Sequence, residues 1–226
     1  MAAQYPDGWF NSFDMQAYRS MTRDVPNKGR MVEIGTYKGR SLSSVAKLIV
    51  EKDLKVLAVE PFLPFVQNEL AELQNDRRLT KTLTRLGFDV GPIPEATVAN
   101  IEVDTEEILR NTLKEFGLKG HVRLVKKTSV EAARLVPDGS LDFVFIDGDH
   151  SDDAVTTDVY TWWPKLKPTG FMGGHDYIKT GGTVLLQEMR MALETMFGPE
   201  GLNKEHHRRS TCWQATRPPK LIEQLG

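Results

Sequence analysis

Several protein classes are excluded by what this 226-residue sequence lacks. Its one cysteine, Cys212, has no intramolecular partner for a disulfide, which suits a reducing compartment. No stretch approaches the roughly 20 consecutive apolar residues that span a bilayer. The N-terminal segment does not place an apolar run after a basic stretch, as a secretory signal would. We therefore expect a cytoplasmic protein that does not insert into membranes.

The sequence also has no excess of basic charge. Its net charge is −2 and its pI is near 6.2, so we expect no broad positive surface that would attract nucleic acid or anionic membranes. A content of 40% hydrophobic and 27% charged residues is ordinary for a globular chain. At this length we expect one domain covering residues 1–226, with a single core.

What the sequence does contain is an alternation of short apolar runs with helix-length segments. This pattern indicates β-α-β units around a buried parallel sheet. Predicted strands cover residues 30–34, 55–60, 121–126, 141–147, 170–174 and 211–216. Predicted helices cover residues 41–52, with Ser41 as the cap, 103–116, which stops at Gly117, and 183–197. Trp162 and Trp163 fall in another helical stretch and are predicted to pack in the core.

Between the second and third predicted strands, the chain is longer than a single crossover helix requires. Residues 68–86 have a helical pattern, and Gly91, Pro92 and Pro94 then interrupt it. We therefore predict an insert at about residues 61–102. It is expected to be packing decoration or an oligomer contact, or else a lid over the substrate.

A glycine turn follows the first predicted strand in the segment MVEIGTYKGRS, residues 31–41. Gly35 allows a tight turn, and Gly39 allows close approach at a helix start, where free amides favour an anionic group. A nicotinamide-binding loop would need glycine where Tyr37 stands, and the Gly-Lys-Ser/Thr ending of a phosphate-binding loop is missing. A ligand with a carboxylate, an adenosyl group and a cationic centre therefore fits better than a phosphate.

Two further residues extend this predicted ligand site. Glu60 ends the second strand, where a carboxylate can accept both hydroxyls of a ribose, although an exposed acid is the alternative. Ser129 follows the third strand and is predicted either to reach an adenine or to cap a turn.

Acidic and imidazole side chains follow the fourth and fifth predicted strands. The fourth strand runs into FIDGDHSDD, which contains Asp147, Asp149 and His150, and GGHDY supplies His175 and Asp176 after the fifth. Because the carboxyl ends of parallel strands share one edge of a sheet, we expect these groups to converge beside the glycine turn. His150 is predicted to be a general base for a substrate hydroxyl, or else to hydrogen-bond only Asp147 or a turn amide.

Taken in order, the segments VEIGTYKGRS, VEPF, FIDGDHSDDA and LKPTGFMGGHDY resemble the motifs of class I S-adenosylmethionine-dependent methyltransferases. Over residues 8–60 and 121–177 they are most similar to a small O-methyltransferase branch that includes antibiotic-sugar enzymes of the macrocin and mycinamicin type. The resemblance implies a doubly wound, Rossmann-like α/β fold. Its sheet would have seven strands in the order 3-2-1-4-5-7-6, with helices on both faces.

The resemblance also implies a set of site residues. Glu33 and Gly35 would contact the methionine part of S-adenosylmethionine and Glu60 the ribose, while Asp147 would lie beside the cofactor amine. The complete set of predicted cofactor contacts is Glu33, Gly35, Thr36, Tyr37, Gly39, Ser41, Glu60, Ser129 and Asp147. The predicted catalytic residues are His150, as general base, and Asp147.

A divalent metal is a further expectation from the resemblance. In metal-dependent members the carboxylate matching Asp147 also binds the ion, and the sugar enzymes carry a Glu-Asp pair where this chain has His175 and Asp176. The imidazole leaves two hard oxygen ligands and weakens the case for Mg²⁺. The predicted metal ligands are Asp147, His175 and Asp176, with Mg²⁺ or Mn²⁺ as the ion, and metal dependence stays open.

The predicted function is methyl transfer to a hydroxyl of a small molecule, such as a sugar, a natural product or another metabolite. The alternatives are a non-catalytic S-adenosylmethionine-binding protein and a nicotinamide-dependent oxidoreductase, which Tyr37 disfavours. Residues 8–18 are apolar at Trp9, Phe10 and Phe13 and are expected to form a lid or to meet a second subunit of a homo-oligomer. The basic run at 204–209 is interpreted as a solvated loop or a grip on an acidic substrate.

Overall fold

The computed structural model describes residues 4–62, 104–177, 184–198, 201–203 and 210–220. The chain divides into two compact units, one made of Met1–Pro61 and Ile108–Gly226 and the other of Phe62–Glu107. The predicted helix at 68–86, nearly all of the predicted insert and the basic run at 204–209 lie outside the described residues. The single-domain organisation and the insert therefore stay predictions.

The strands of the first unit form one sheet. They are β1 Arg30–Ile34, β2 Lys55–Val59, β3 Val122–Val125, β4 Leu141–Ile146, β5 Leu166–Gly174, β6 Leu202–Asn203 and β7 Trp213–Ala215. The sheet order is β3-β2-β1-β4-β5-β7-β6, which confirms the predicted order and fold class. Strands β1 to β5 pair in parallel, whereas β7 runs antiparallel to β5 and to β6.

Within the described residues, helices lie near each predicted helical segment, and two more, Ser12–Asp24 and Ser129–Ala133, were not predicted. The helices are α1 Ser12–Asp24, α2 Arg40–Ser44, α3 Ala46–Glu51, α4 Thr105–Glu115, α5 Ser129–Ala133, α6 Asp152–Trp162 and α7 Val184–Phe197, with a 3₁₀ turn at Trp163–Lys165. Gly117 follows α4 with a φ of 71°, so it ends that helix as predicted. In the part of the chain that the structure describes, no helix is long and apolar enough to cross a membrane.

The helix predicted at 41–52 is wrong as a single element. It divides at Val45, whose φ of −110° and ψ of 8° separate α2 from α3. The hydroxyl of Ser43 donates to the carbonyl of Gly39 at 2.6 Å, and that of Ser44 donates to the carbonyl of Ser41 at 2.7 Å. Such hydroxyl-to-carbonyl bonds compete with the backbone ladder, which accounts for the break.

Strand β4 lies at the centre of the sheet, with all six residues buried. Its side chains alternate between the two faces, as in any strand. Val144 and Ile146 belong to an apolar cluster that contains Trp162 of α6. On the other face, the ring of Phe145 stacks on Tyr18 of α1 with centroids 4.2 Å apart. Helices therefore cover both faces, and the predicted core position of Trp162 is confirmed.

Helix α1 begins with a capping box. The side chain of Asn11 accepts bonds from the backbone amides of Phe13 and Asp14, and the carboxylate of Asp14 accepts the amide of Asn11 at 3.1 Å. Because the helix start is fixed in this way, Asp14 and Tyr18, one turn apart, both face the sheet and are fully buried.

Candidate active site

The carboxyl ends of β1, β4 and β5 meet at one edge of the sheet. Backbone hydrogen bonds between these strands continue one residue past their ends. The amide of Asp147 donates to the carbonyl of Ile34 at 2.8 Å, and the amide of His175 donates to the carbonyl of Ile146 at 3.0 Å. The residues that follow these strands are therefore held close together. This is the edge at which doubly wound folds bind their ligands.

Two histidines and two carboxylates converge here. His175 Nδ1 lies 3.2 Å from Asp147 Oδ1 and 3.0 Å from Asp176 Oδ2. His150 Nε2 lies 3.3 Å from the same oxygen of Asp176. The Asp176 carboxylate thus joins the two imidazoles, in a residue whose φ of 63° is unusual for a non-glycine residue. The structure brings together four of the five side chains that the sequence analysis expected to converge, whereas Asp149 is exposed and accepts the amide of Ser151 at 2.9 Å.

Three of these groups fit a small cation. One ligand atom from each of Asp147, His175 and Asp176 can be chosen so that all three lie within 4.8 Å of one another. Donors that share one metal ion at about 2.1 Å are separated by such distances. One nitrogen and two oxygens suit Mn²⁺ or a similar ion better than Mg²⁺.

A fifth residue of this cluster, Asp14, was not expected from the sequence. Its Oδ2 lies 3.2 Å from His175 Nε2, on the side of the ring opposite Asp147 and Asp176. The N–H is not aligned well enough for a directed hydrogen bond, so this contact is mainly an electrostatic one. The sequence offers little sign of it, because Asp14 looks like an ordinary first-turn acid of a helix.

Burial and charge act in opposite directions on His175. Burial alone would lower its pKa, but the carboxylates of Asp147, Asp14 and Asp176 raise that pKa well above its usual value. Burial raises the pKa of Asp147, and His175 opposes that rise. For Asp14, contact with His175 and the amides of Thr211 and Asn11 outweighs burial, so its pKa is lowered.

The glycine turn lies directly against this cluster. Gly35 has a φ of 81°, and a Cβ atom there would fall 2.1 Å from the carbonyl oxygen of Asp147. Tyr37 also has a left-handed φ, of 46°, and its amide donates to Glu60 Oε2 at 2.8 Å. Glu60 is thereby fixed beside the turn, at the end of β2 where the ribose contact was predicted. Gly39 precedes α2 with a φ of 85°.

Ser41 and Glu33 have a different relation from the one expected. Gly39 occupies the cap position of α2 without a side-chain bond, so the predicted capping by Ser41 is wrong. The Ser41 hydroxyl instead donates to Glu33 Oε1 at 2.7 Å, and the Tyr18 hydroxyl donates to Glu33 Oε2 at 2.6 Å. A direct contact of Glu33 with a cofactor would require one of these partners to move, because Glu33 is fully buried.

Burial also sets the charge of Glu33. It raises the pKa of this carboxyl to about 8, although the hydrogen bonds from Tyr18 and Ser41 act to lower it. Glu33 is therefore largely protonated at neutral pH. The predicted contact of Glu33 with the methionine part of the cofactor stays a prediction.

Ser129 is the first residue of α5, after the capping residue Thr128. Its hydroxyl accepts a bond from Trp162 Nε1 at 2.8 Å and donates to the buried carboxylate of Asp158. Burial raises the pKa of Asp158 to about 6. The expected turn cap is thus supplied by Thr128, and the adenine contact of Ser129 stays a prediction.

The N-terminal segment is bonded to Arg40, the first residue of α2. Arg40 Nε donates to the carbonyl of Phe10 at 2.7 Å, and Arg40 Nη1 donates to that of Pro6 at 2.6 Å. The ring of Phe10 lies 4.9 Å from that of His175, so it packs against the cluster. Trp9 is 79% exposed. The lid and the subunit contact predicted for residues 8–18 both stay predictions.

Comparison with known proteins reveals one family and several similar folds. The sequence profile of a family described as "Methyltransferase domain" matches residues 32–177. No curated protein matches this sequence. The fold is similar to that of cofactor-bound Rv0187 from MTB, with a TM-score of 0.59, 14% identity, and coverage of 95% of this chain and 84% of the other.

Two further solved structures share the fold. One is a proposed caffeoyl-CoA O-methyltransferase from Staphylococcus aureus, with a TM-score of 0.59, 13% identity, and coverage of 94% of this chain and 86% of the other. The second is a precorrin-6y C5,15-methyltransferase from Geobacter metallireducens, with a TM-score of 0.50, 15% identity, and coverage of 85% of this chain and 74% of the other. At such identities the similarity concerns the fold alone.

Proposed function

Since the chain belongs to the methyltransferase domain family, we propose that it transfers the methyl group of S-adenosylmethionine to a hydroxyl oxygen of a small molecule. The observation that carries this proposal is the contact of His150 with Asp176 beside the glycine turn. A hydroxyl acceptor must lose a proton as it gains the methyl group, so a base is needed at that point.

The glycine turn and Glu60 are the proposed cofactor contacts of this edge. Glu33 and Ser41, on either side of the turn in sequence, are bonded to each other, and the amide of Tyr37 holds Glu60 in place. In this arrangement Glu60 would accept the ribose hydroxyls, and the helix start after Gly39 would face the carboxylate of the methionine part. Binding both ends of the cofactor would fix its sulfonium near Asp147.

The proposed reaction balances without another reagent. The bond between sulfur and the methyl carbon breaks, its electron pair stays on sulfur, and S-adenosylhomocysteine is released. A bond forms between that carbon and the acceptor oxygen, whose proton passes to Nδ1 of His150. Asp176 lies beside Nε2 of His150 and would hold the proton on that nitrogen, which leaves Nδ1 as the accepting atom.

A divalent ion held by Asp147, His175 and Asp176 is a second part of the proposal. The donor atoms of these residues are close enough to share one ion. When bound, such an ion would lower the pKa of the acceptor hydroxyl and orient it. The mixed nitrogen and oxygen ligands favour Mn²⁺ over Mg²⁺.

The decisive experiment separates cofactor binding from turnover. Binding of S-adenosylhomocysteine is measured by calorimetry, in EDTA and in Mn²⁺, and turnover is measured as S-adenosylhomocysteine formed with a panel of hydroxylated small molecules. We expect His150→Gln to reduce turnover at least about 100-fold while cofactor binding stays within twofold. His121→Gln is the matched control, because His121 lies at the start of β3, near Leu54, away from this edge.

Three outcomes would count against the proposal. Failure to bind S-adenosylhomocysteine would remove the cofactor, and binding of NADH in its place would favour the oxidoreductase. Binding with no turnover on any hydroxyl acceptor would favour a non-catalytic S-adenosylmethionine-binding protein. Unchanged turnover in His150→Gln would remove His150 as the base while leaving methyl transfer in place.

A further inference from the structure

The N-terminal helix supplies a charged group to the candidate active site, although it lies far from the site in sequence. Asp14 is fully buried, and its carboxylate faces Nε2 of His175 at 3.2 Å. Nδ1 of the same ring faces Asp147 and Asp176. Carboxylates therefore flank both nitrogens of one buried imidazole.

The two sides of that ring are not equivalent. On the Nδ1 side, Asp147 is partly exposed, with 17% of its side-chain surface accessible, and Asp176 also contacts His150. On the Nε2 side, Asp14 has no exposed surface. Only the Nδ1 side can therefore accept a ligand or an ion from solvent without opening the core.

Other residues also hold the carboxylate of Asp14 in place. Its Oδ1 accepts a bond from the amide of Thr211 at 2.9 Å and from the hydroxyl of Ser210 at 3.0 Å, while its Oδ2 accepts the amide of Asn11 at 3.1 Å. Since Asn11, Ser210 and Thr211 all donate to this carboxylate, it acts as an acceptor, and His175 Nε2 faces it without a directed hydrogen bond. A lone pair on Nε2 would be repelled by it, so whenever the ring is neutral its one proton lies on that nitrogen.

We infer that Asp14 is a positioning residue, which keeps the proton of His175 on Nε2 and directs Nδ1 toward Asp147 and Asp176. It acts through His175 and does not touch the substrate or the cofactor. Histidines that bind metals are commonly oriented by a carboxylate in this way, and loss of that partner typically weakens metal binding about 10–100-fold. The expected loss of metal affinity rests on the proposed function, whereas the orientation of the His175 ring does not.

The test compares Asp14→Asn with Ser210→Ala. Asparagine keeps the size of Asp14 but presents an amide where a carboxylate faced Nε2. Ser210→Ala is the matched control, because it removes one donor to Asp14 and leaves His175 untouched. Each protein is labelled with ¹⁵N-histidine, and the His175 signals are identified by their loss in His175→Gln.

In metal-free wild-type protein at one fixed pH, we expect a proton directly bonded to Nε2 of His175. Asp14→Asn should shift that nitrogen resonance clearly, and Ser210→Ala should leave it in place. Calorimetric titration with Mn²⁺ should give a dissociation constant about 10–100-fold weaker in Asp14→Asn and within about twofold of wild type in Ser210→Ala.

The nitrogen resonances of His175 and the Mn²⁺ titration test different parts of the inference. A proton found only on Nδ1 in the wild type would overturn the inference even if Asp14→Asn does not fold, and so would an unchanged Nε2 resonance in a folded Asp14→Asn. Absence of Mn²⁺ binding in the wild type would overturn the proposed ion and leave the role of Asp14 to be decided by the nitrogen resonances.

Discussion

Gly35 lies where the backbone after β1 comes close to the backbone after β4. A Cβ atom at this position would be 2.1 Å from Asp147 O and 2.6 Å from Gly148 Cα, and neither is a flexible side-chain end. We predict that Gly35→Ala costs at least about 3 kcal/mol of unfolding free energy. Urea denaturation measures this loss, and calorimetry should show that binding of S-adenosylhomocysteine is lost with it.

Gly139→Ala is the control for Gly35→Ala. Gly139 has a φ of 63°, so alanine there is strained as well, but nothing lies within 4 Å of the added Cβ atom. Strain alone should cost about 1–2 kcal/mol. Equal losses in the two variants would mean that the contact with Asp147 is relaxed easily and does not fix the turn.

Glu33 should make the stability of the protein depend on pH. Burial raises the pKa of its carboxyl from 4.5 to about 8, so between these values the folded protein holds a proton that the unfolded chain has released. The free energy of unfolding should therefore fall as pH rises through this range. Glu33→Gln imitates the protonated acid, and we expect it to be more stable than wild type at pH 8, by on the order of 3 kcal/mol.

The difference between Glu33→Gln and wild type isolates this residue. Burial also raises the pKa of Asp158, to about 6, but that carboxyl is present in both proteins and its contribution cancels. The measurement is urea denaturation at several pH values from 5 to 8. A difference in stability that does not grow with pH would show that Glu33 is ionised in the folded protein.

Most residues of the site could be predicted because they follow directly after apolar strands. Asp147 and His175 come right after buried runs, and the parallel order of the strands brings their ends together. Asp14 could not be found in this way, because its partners His175 and Thr211 are far away in sequence. A pattern within one element carries no information about which distant side chain it will meet.

Helices and strands also could be predicted where their own sequence determines them, and not where side-chain bonds or pairing with another strand determine them. Strands β1, β2 and β4 are predicted well because they are buried and apolar along most of their length, whereas β5 begins at Leu166 and not at residue 170, as predicted, because its first half is largely unburied. The break between α2 and α3 comes from side-chain bonds of Ser43 and Ser44, which periodicity does not reveal. Strand β6 has only two residues, too few to show any period, and is placed by its pairing with β7.

Helix α1 contributes both to the core and to the candidate active site. Its apolar and aromatic side chains cover one face of the sheet, where Tyr18 packs on Phe145. The same side of the helix carries Asp14 to His175, and the Tyr18 hydroxyl reaches Glu33. A helix that buries a face of the sheet thus also sets the surroundings of two ionisable groups at strand ends.

Across the whole molecule, the two edges of the sheet differ in what their buried charges do. At the amino end of β4, Asp142 is 5% exposed and accepts the amide of Arg30 at 2.8 Å and Lys167 Nζ at 2.8 and 2.9 Å. At the carboxyl end, Asp147 lies in the proposed site, and burial raises its pKa. The first carboxylate is well paired, whereas burial opposes ionisation of the second.

Substitution of these two aspartates by asparagine should therefore have opposite effects. Asp142→Asn should lose about 1–3 kcal/mol of unfolding free energy, because Lys167 and the Arg30 amide lose a charged partner, and turnover per folded molecule should stay unchanged. Asp147→Asn should lose less stability than Asp142→Asn at pH 7, since burial raises the pKa of Asp147 and offsets the attraction between this carboxyl and His175, but turnover should be lost. Urea denaturation and S-adenosylhomocysteine formation measure the two quantities on the same samples. If Asp142→Asn instead lost turnover while it stayed folded, the separation of a stabilising edge from a functional edge would be wrong.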